Sequence, residues 1–103
     1  MQPRKYTVVL EEQARNWLDQ QSEDVQKRVL LILDTFSEFP SVAGKQLQNA
    51  TRWYDDHYGW ARRITLDSVT PGLRCIYHVW DEKRQMVVVK FGTHVDDVYE
   101  DGN

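Results

Sequence analysis

Cysteine is nearly absent from this 103-residue chain. Cys75 stands alone, which excludes an internal disulfide and any cysteine-based zinc knuckle. Long apolar runs are missing too. Nothing near 18 consecutive apolar residues occurs, nor a charged start followed by an apolar stretch and a small-residue cleavage site. Neither a membrane span nor a secretory signal is therefore expected, and the chain reads as cytoplasmic. An excess of positive charge is also lacking. The formal net charge of −3 argues against a generic nucleic-acid coat, whose affinity comes from neutralising phosphates. No internal repeat or low-complexity tract appears.

What is present suffices for one core. A hydrophobic content of 41% over this length predicts one compact domain, residues 1–103. The acidic residues gather in the first half and at the end, whereas Lys45, Arg52, Arg62, Arg63 and Arg74 fall in the middle. A local basic patch is compatible with overall acidity.

The run Tyr6 to Leu10 is rich in β-branched and apolar residues and reads as a strand. Helical spacing follows. Ala14, Trp17 and Leu18 recur at three and four residues, and Val25, Val29, Ile32, Leu33 and Phe36 form a longer stripe that Ser22 is placed to cap. That helix should stop near Phe39-Pro40, because the residue before a proline disfavours helical angles. The two helices are expected to pair antiparallel and bury their stripes on a sheet. Residues Gly44 to Tyr58 show neither period clearly and read as an irregular loop, with Trp53, Tyr54, Tyr58 and Trp60 either packed beneath it or offering a stacking face for a base.

Strands are expected from Gly59 to Leu66, from Leu73 to Trp80 and from Met86 to Phe91, joined by the turns Asp67 to Gly72 and Asp81 to Arg84. The last is apolar apart from Lys90, which suits a central strand buried on both faces. Val95 to Glu100 is either a short helix or an extended tail. Alternation puts Ile64 and Leu66 on the core face and Arg63 and Thr65 outward. It likewise puts Cys75 and Tyr77 on one side of the next strand, and Arg74, Ile76, His78 and Trp80 on the other. Arg63 and Arg74 should then share an open face. Arg62 is assigned inward, either at the sheet rim or paired with a carboxylate. Cys75 is read as a buried apolar residue, because reactive thiols need an electropositive, partly exposed setting. His78 is read as a satisfied strand histidine.

GWARRIT followed by LRCIYHV, and then GTH and DVY, carry a family resemblance. In their order the chain resembles the RelE/ParE superfamily of bacterial toxins, and within it the messenger-RNA interferases of the RelE, YoeB and YafQ type. The resemblance spans the first strand to Tyr99. It implies an α+β fold, a two-helix hairpin on one face of a small, mostly antiparallel sheet. It also implies an endoribonuclease toxin that cuts ribosome-bound messenger RNA without metal or other cofactor, restrained by a cognate antitoxin, with no membrane partner. By position, Arg74 matches the arginine that meets the scissile phosphate, Arg63 and Thr65 the family's lysine pair, His94 the catalytic histidine, and Tyr99 the aromatic that holds the nucleotide. Arg62, Lys45 and Arg52 are candidates for RNA contact.

The chemistry suits these residue types. Arginine pairs bidentately with phosphate oxygens and keeps its charge, and histidine titrates near working pH, which fits His94 for proton transfer. The resemblance departs in one place. YoeB-type toxins carry a glutamate base ahead of RRIT, and here the nearest candidates are Asp55, Asp56 and His57. These, with His94, Asp96 and Asp97, are metal-ligand types, but no regular spacing connects them. Two other readings share the fold: a ParE-like inhibitor of DNA gyrase, and a catalytically inactive interaction protein.

Overall fold

The structure, a computed structural model, describes residues 5–54 and 57–93, and for residues 46–54 and 57–60 the backbone only. After strand β1 (Thr7–Leu10) come helices α1 (Glu12–Asp19), α2 (Glu23–Phe36) and the single turn α3 (Pro40–Ala43). Strands β2 (Lys45–Tyr54), β3 (His57–Thr65), β4 (Arg74–Trp80) and β5 (Gln85–Gly92) follow. The expected α+β layout of two helices on a mostly antiparallel sheet is the one observed.

The helices begin and end where the chain's own chemistry sets their limits. Ser22 is the N-cap of α2, and its hydroxyl accepts a hydrogen bond from the Val25 amide at 3.2 Å. Pro40 opens α3, where a missing amide hydrogen costs nothing. The apolar stripes of α1 and α2 put Ala14, Leu18, Val29 and Leu33 into one cluster with Ile64, Leu66, Leu73, Cys75, Tyr77, Met86, Val88 and Phe91 from the sheet. Trp17 stacks on Phe91 with ring centroids 4.7 Å apart. Burial of a side chain such as Leu33, wholly excluded from solvent, contributes about 1.5–3 kcal/mol.

The sheet order is β1-β5-β4-β3-β2, with β1 parallel to β5 and every other pair antiparallel. The expected loop at residues 44–58 is corrected by this arrangement. Most of it is β2, paired with β3 from Lys45↔Arg63 to Tyr54↔His57. Its period was obscured because the register shifts between Gln46 and Thr51, and a shifted register breaks the alternation that marks a strand. It follows that β3 is interior and that the edges are β1 and β2.

Two single-residue devices shape the far end of the sheet. Gly72, in the β3–β4 turn, has φ +80°, a conformation that costs an L side chain about 1–2 kcal/mol, and its amide donates to Asp67 Oδ1 at 2.8 Å. In the β4–β5 pair, Ile76 stands opposite Lys90 and Tyr77 opposite Val88, which leaves Val89 as an extra residue. This bulge reverses the alternation of β5. Met86 and Val88 face the helices, but beyond the bulge it is Phe91 that does so, and Lys90 joins the opposite face beside Ile76.

Candidate nucleic-acid interface

The cross-strand register builds a cationic group on the sheet face away from the helices. Paired residues point to the same side, so Lys45, Arg63, Ile76 and Lys90 form one row across β2, β3, β4 and β5. The neighbouring row is Thr65, Arg74 and Gly92. Arg74 is therefore diagonal to both Arg63 and Lys90, about 7–8 Å away by sheet geometry. Three cations surround Ile76. Lys45 and Thr65 are exposed, Arg63 and Arg74 half-buried, and Lys90 only 2% exposed. Lys45 stands directly opposite Arg63, a like-charge pairing that a sheet disfavours on its own account.

Arg74 is held by the turn that precedes it. Its Nη1 donates to the Gly72 carbonyl at 3.0 Å, while its buried Nε has no hydrogen-bond partner among the described residues. A guanidinium has five N–H donors in a rigid fork, so one fixed bond orients the rest. The same face is less open than alternation implied. Ile76, His78, Trp80, Val87 and Val89 are all buried there, and solvent reaches it at the end that carries Lys45, Arg63, Thr65 and Arg74.

The sequence-derived candidates separate cleanly. Arg63, Arg74, Thr65 and Lys45 come together. Arg62 points to the helix side, as alternation placed it, and its Nη2 donates to the Gly44 carbonyl at 2.6 Å. Its partner is a backbone carbonyl, not a carboxylate. Arg52 pairs with Gly59, four residues along β3 from Arg63, or about 13 Å, so its backbone lies at the other end of the ladder. His94, Tyr99, Asp55 and Asp56 lie outside the described residues, as does the stretch from Val95 to Glu100. His57 pairs with Tyr54 at the start of β3, and the side chains of Trp53, Tyr54, Tyr58 and Trp60 are likewise outside the description.

The reading of Cys75 as a buried apolar residue holds. Burial pushes the Cys75 thiol far above its ordinary range, so it is an inert core group. His78 is 1% exposed and pairs with Val87, two rows and about 13 Å along β4 from Arg74. Lys90 joins the cationic group only through the fold. Its signal in the sequence was a lone charge in an apolar run; its face depends on the bulge at Val89. No helix among the described residues is long and apolar enough to cross a membrane. Among those residues no three His, Cys, Asp or Glu side chains group to hold a metal ion.

No protein-family model and no curated protein matches the sequence. Solved structures do. The chain is 23% identical to a mutant of the Escherichia coli toxin RelE in the free state, with a TM-score of 0.67 over 95% of this chain and 94% of that one. It is 27% identical to the isolated E. coli RelE toxin, with a TM-score of 0.63 and 92% of each chain covered. The RelBE2 toxin–antitoxin complex of Mycobacterium tuberculosis matches at 21% identity and a TM-score of 0.62, over 89% of this chain and 94% of that one. The fold implied by the resemblance read from GWARRIT and LRCIYHV is thus the one observed, and the chain is similar in fold to RelE toxins.

Proposed function

We propose that this chain is the toxin of a toxin–antitoxin pair, an endoribonuclease that cuts messenger RNA on the ribosome. The observation that carries the reading is the group Lys45, Arg63, Arg74 and Lys90 on one sheet face of a chain whose net charge is −3. Like charges assembled against the sheet's own preference suit an anion held among them, and phosphate is the anion that an arginine fork recognises best.

Cleavage at the ribose 2′-hydroxyl builds negative charge on the scissile phosphate. Arg74, oriented by the Gly72 carbonyl, takes the role of stabilising that charge, which is worth about 3–4 kcal/mol for a well-placed donor. Arg63 and Lys45 hold the flanking backbone from the exposed side, with Thr65 as a neutral donor beside them. Lys90 adds positive charge from beneath, because in a partly dry site a charge acts strongly without touching. His94 is assigned the proton transfer and Tyr99 the hold on the nucleotide, both on the family resemblance. Arg62 drops out of the RNA-contact set by its face, and Arg52, about 13 Å along the ladder, is left for a more distant part of the strand. In an acidic chain, docking on the ribosome falls to this patch alone.

An antitoxin partner belongs to the same reading. RelE toxins have been solved in complex with RelB antitoxins from E. coli, M. tuberculosis and Pyrococcus horikoshii. For this chain a strand added to edge β1 or β2, or a helix laid across a groove, is the expected mode.

Controlled expression in a bacterial host tests the reading. The wild type should arrest growth and leave discrete cuts within translated codons of a reporter messenger, while an Arg74→Ala, His94→Ala double variant does neither. Arrest with intact messenger would reject the nuclease and direct attention to a gyrase-supercoiling assay. Absence of arrest from the wild type would reject the toxin reading itself.

A further inference from the structure

We propose that Tyr77, acting with Gly44 and Arg62, is a positioning residue that holds Lys45 beside Arg63. The inference rests on the reading of that row as the RNA site. Tyr77 itself faces the helices and is wholly buried, so it cannot touch a ligand on the other side of the sheet. Its effect has to pass through the backbone.

The backbone in question is the crossing from α3 into β2. There the Tyr77 hydroxyl donates to the Pro40 carbonyl at 2.6 Å, and Arg62 Nη2 donates to the Gly44 carbonyl at 2.6 Å. The two bonds grip the chain on either side of residues 41–43, immediately before Lys45. Gly44 is what allows the approach. A Cβ built there would lie 2.6 Å from the Tyr77 hydroxyl oxygen and 2.8 Å from the Arg63 carbonyl oxygen, both closer than real contacts allow. Any side chain would drive the strand entry away from Tyr77 and from the very residue that Lys45 pairs with.

Register explains why this matters. β2 pairs in step with β3 only at Lys45↔Arg63 and Gln46↔Arg62 before the irregularity, and in-step pairing resumes at Thr51↔Trp60. Downstream pairing therefore cannot fix where Lys45 sits, because the irregular stretch uncouples the two segments. A slip of one residue would turn Lys45 to the helix face. The grip at Pro40 and Gly44 is the constraint that remains.

The test uses Tyr77→Phe, which removes one oxygen, and Gly44→Ala, which adds one methyl group. Backbone amide exchange is read at Lys45 and Gln46, with Val88 as an internal reference. Single-turnover cleavage on ribosomes is read in the wild-type, Lys45→Ala and Arg74→Ala backgrounds. Exchange should quicken roughly tenfold at whichever of the Lys45 and Gln46 amides faces β3, the other pointing off the sheet edge, with Val88 unchanged, as a local opening would give. Cleavage should fall about tenfold in either variant, yet by less than roughly twofold when Lys45 is already alanine, because residues acting through one group are not additive. In the Arg74→Ala background the loss should persist. Unchanged exchange at Lys45 and Gln46 in both variants, or a cleavage loss undiminished by Lys45→Ala, would overturn the proposal. A general loss of packing would move Val88 as well and leave the Lys45 coupling absent. Should the wild type not cleave, the proposed function fails, and exchange at Lys45 and Gln46 still decides whether Tyr77 holds the strand.

Discussion

On the helix side of β4, Cys75 and Tyr77 are wholly buried against Val29 and Leu33 of α2. On the other side, Arg74 stands half-exposed among Arg63 and Lys90, with Lys45 beyond. The two faces share one backbone and have opposite chemistries. The first is stabilised by removing apolar surface from water. The second is apolar and buried over Ile76, Trp80, Val87 and Val89 and collects like charges at the end that carries Lys45, Arg63 and Arg74.

Breaking the first face should unfold the protein without altering its chemistry. Leu33→Ala is expected to cost about 2–5 kcal/mol in denaturant unfolding, since it leaves a cavity between α2 and the sheet. The surviving folded fraction should cleave at the wild-type rate. Breaking the second should do the reverse. A charge some 8 Å from the phosphate at an effective dielectric near 20 contributes about 2 kcal/mol, so Lys90→Met should slow cleavage roughly 30-fold. A thermal melt of the same variant separates this from a loss of folded protein.

Gly72→Ala touches both sides of the comparison. It should destabilise by about 1–2 kcal/mol through the positive φ, and slow cleavage as well because the Gly72 carbonyl orients Arg74. An alanine variant that melts early yet cleaves at full rate would show that the turn does not set Arg74. The smallest effect is expected with pH. Burial raises the Tyr77 pKa above its ordinary 10.0, with Arg62 opposing it. The folded state then holds this proton more tightly than the unfolded chain. Stability from Tyr77 should be fully present below about pH 10 and decline as pH rises through the folded value. Tyr77→Phe should shallow that alkaline decline in unfolding titrations, and an unchanged slope would assign the decline to other groups, such as Tyr6 on Asp81.

The sequence was legible where a period was unbroken. Val25 to Phe36 gave α2 and its Ser22 cap, and strict alternation put Arg63, Thr65 and Arg74 on one face and Arg62 on the other. It was illegible where extra residues break the period. The shift between Gln46 and Thr51 hid β2, and with it the partner that brings Lys45 to Arg63. The bulge at Val89 hid the face of Lys90. In both cases the irregularity lies beside the cationic group, as bulges often do where a side chain must be re-aimed. A pattern-based reading misses such places because departures from pattern are what build them.

Single-turnover cleavage of a messenger on programmed ribosomes, comparing the wild type with Arg74→Ala, tests the central claim most directly. The rate should fall on the order of 10²- to 10³-fold with the thermal melt little changed, as expected when one donor to a developing oxyanion is removed. An Arg74→Ala chain that cuts as fast as the wild type would contradict the assignment of this face as the catalytic one.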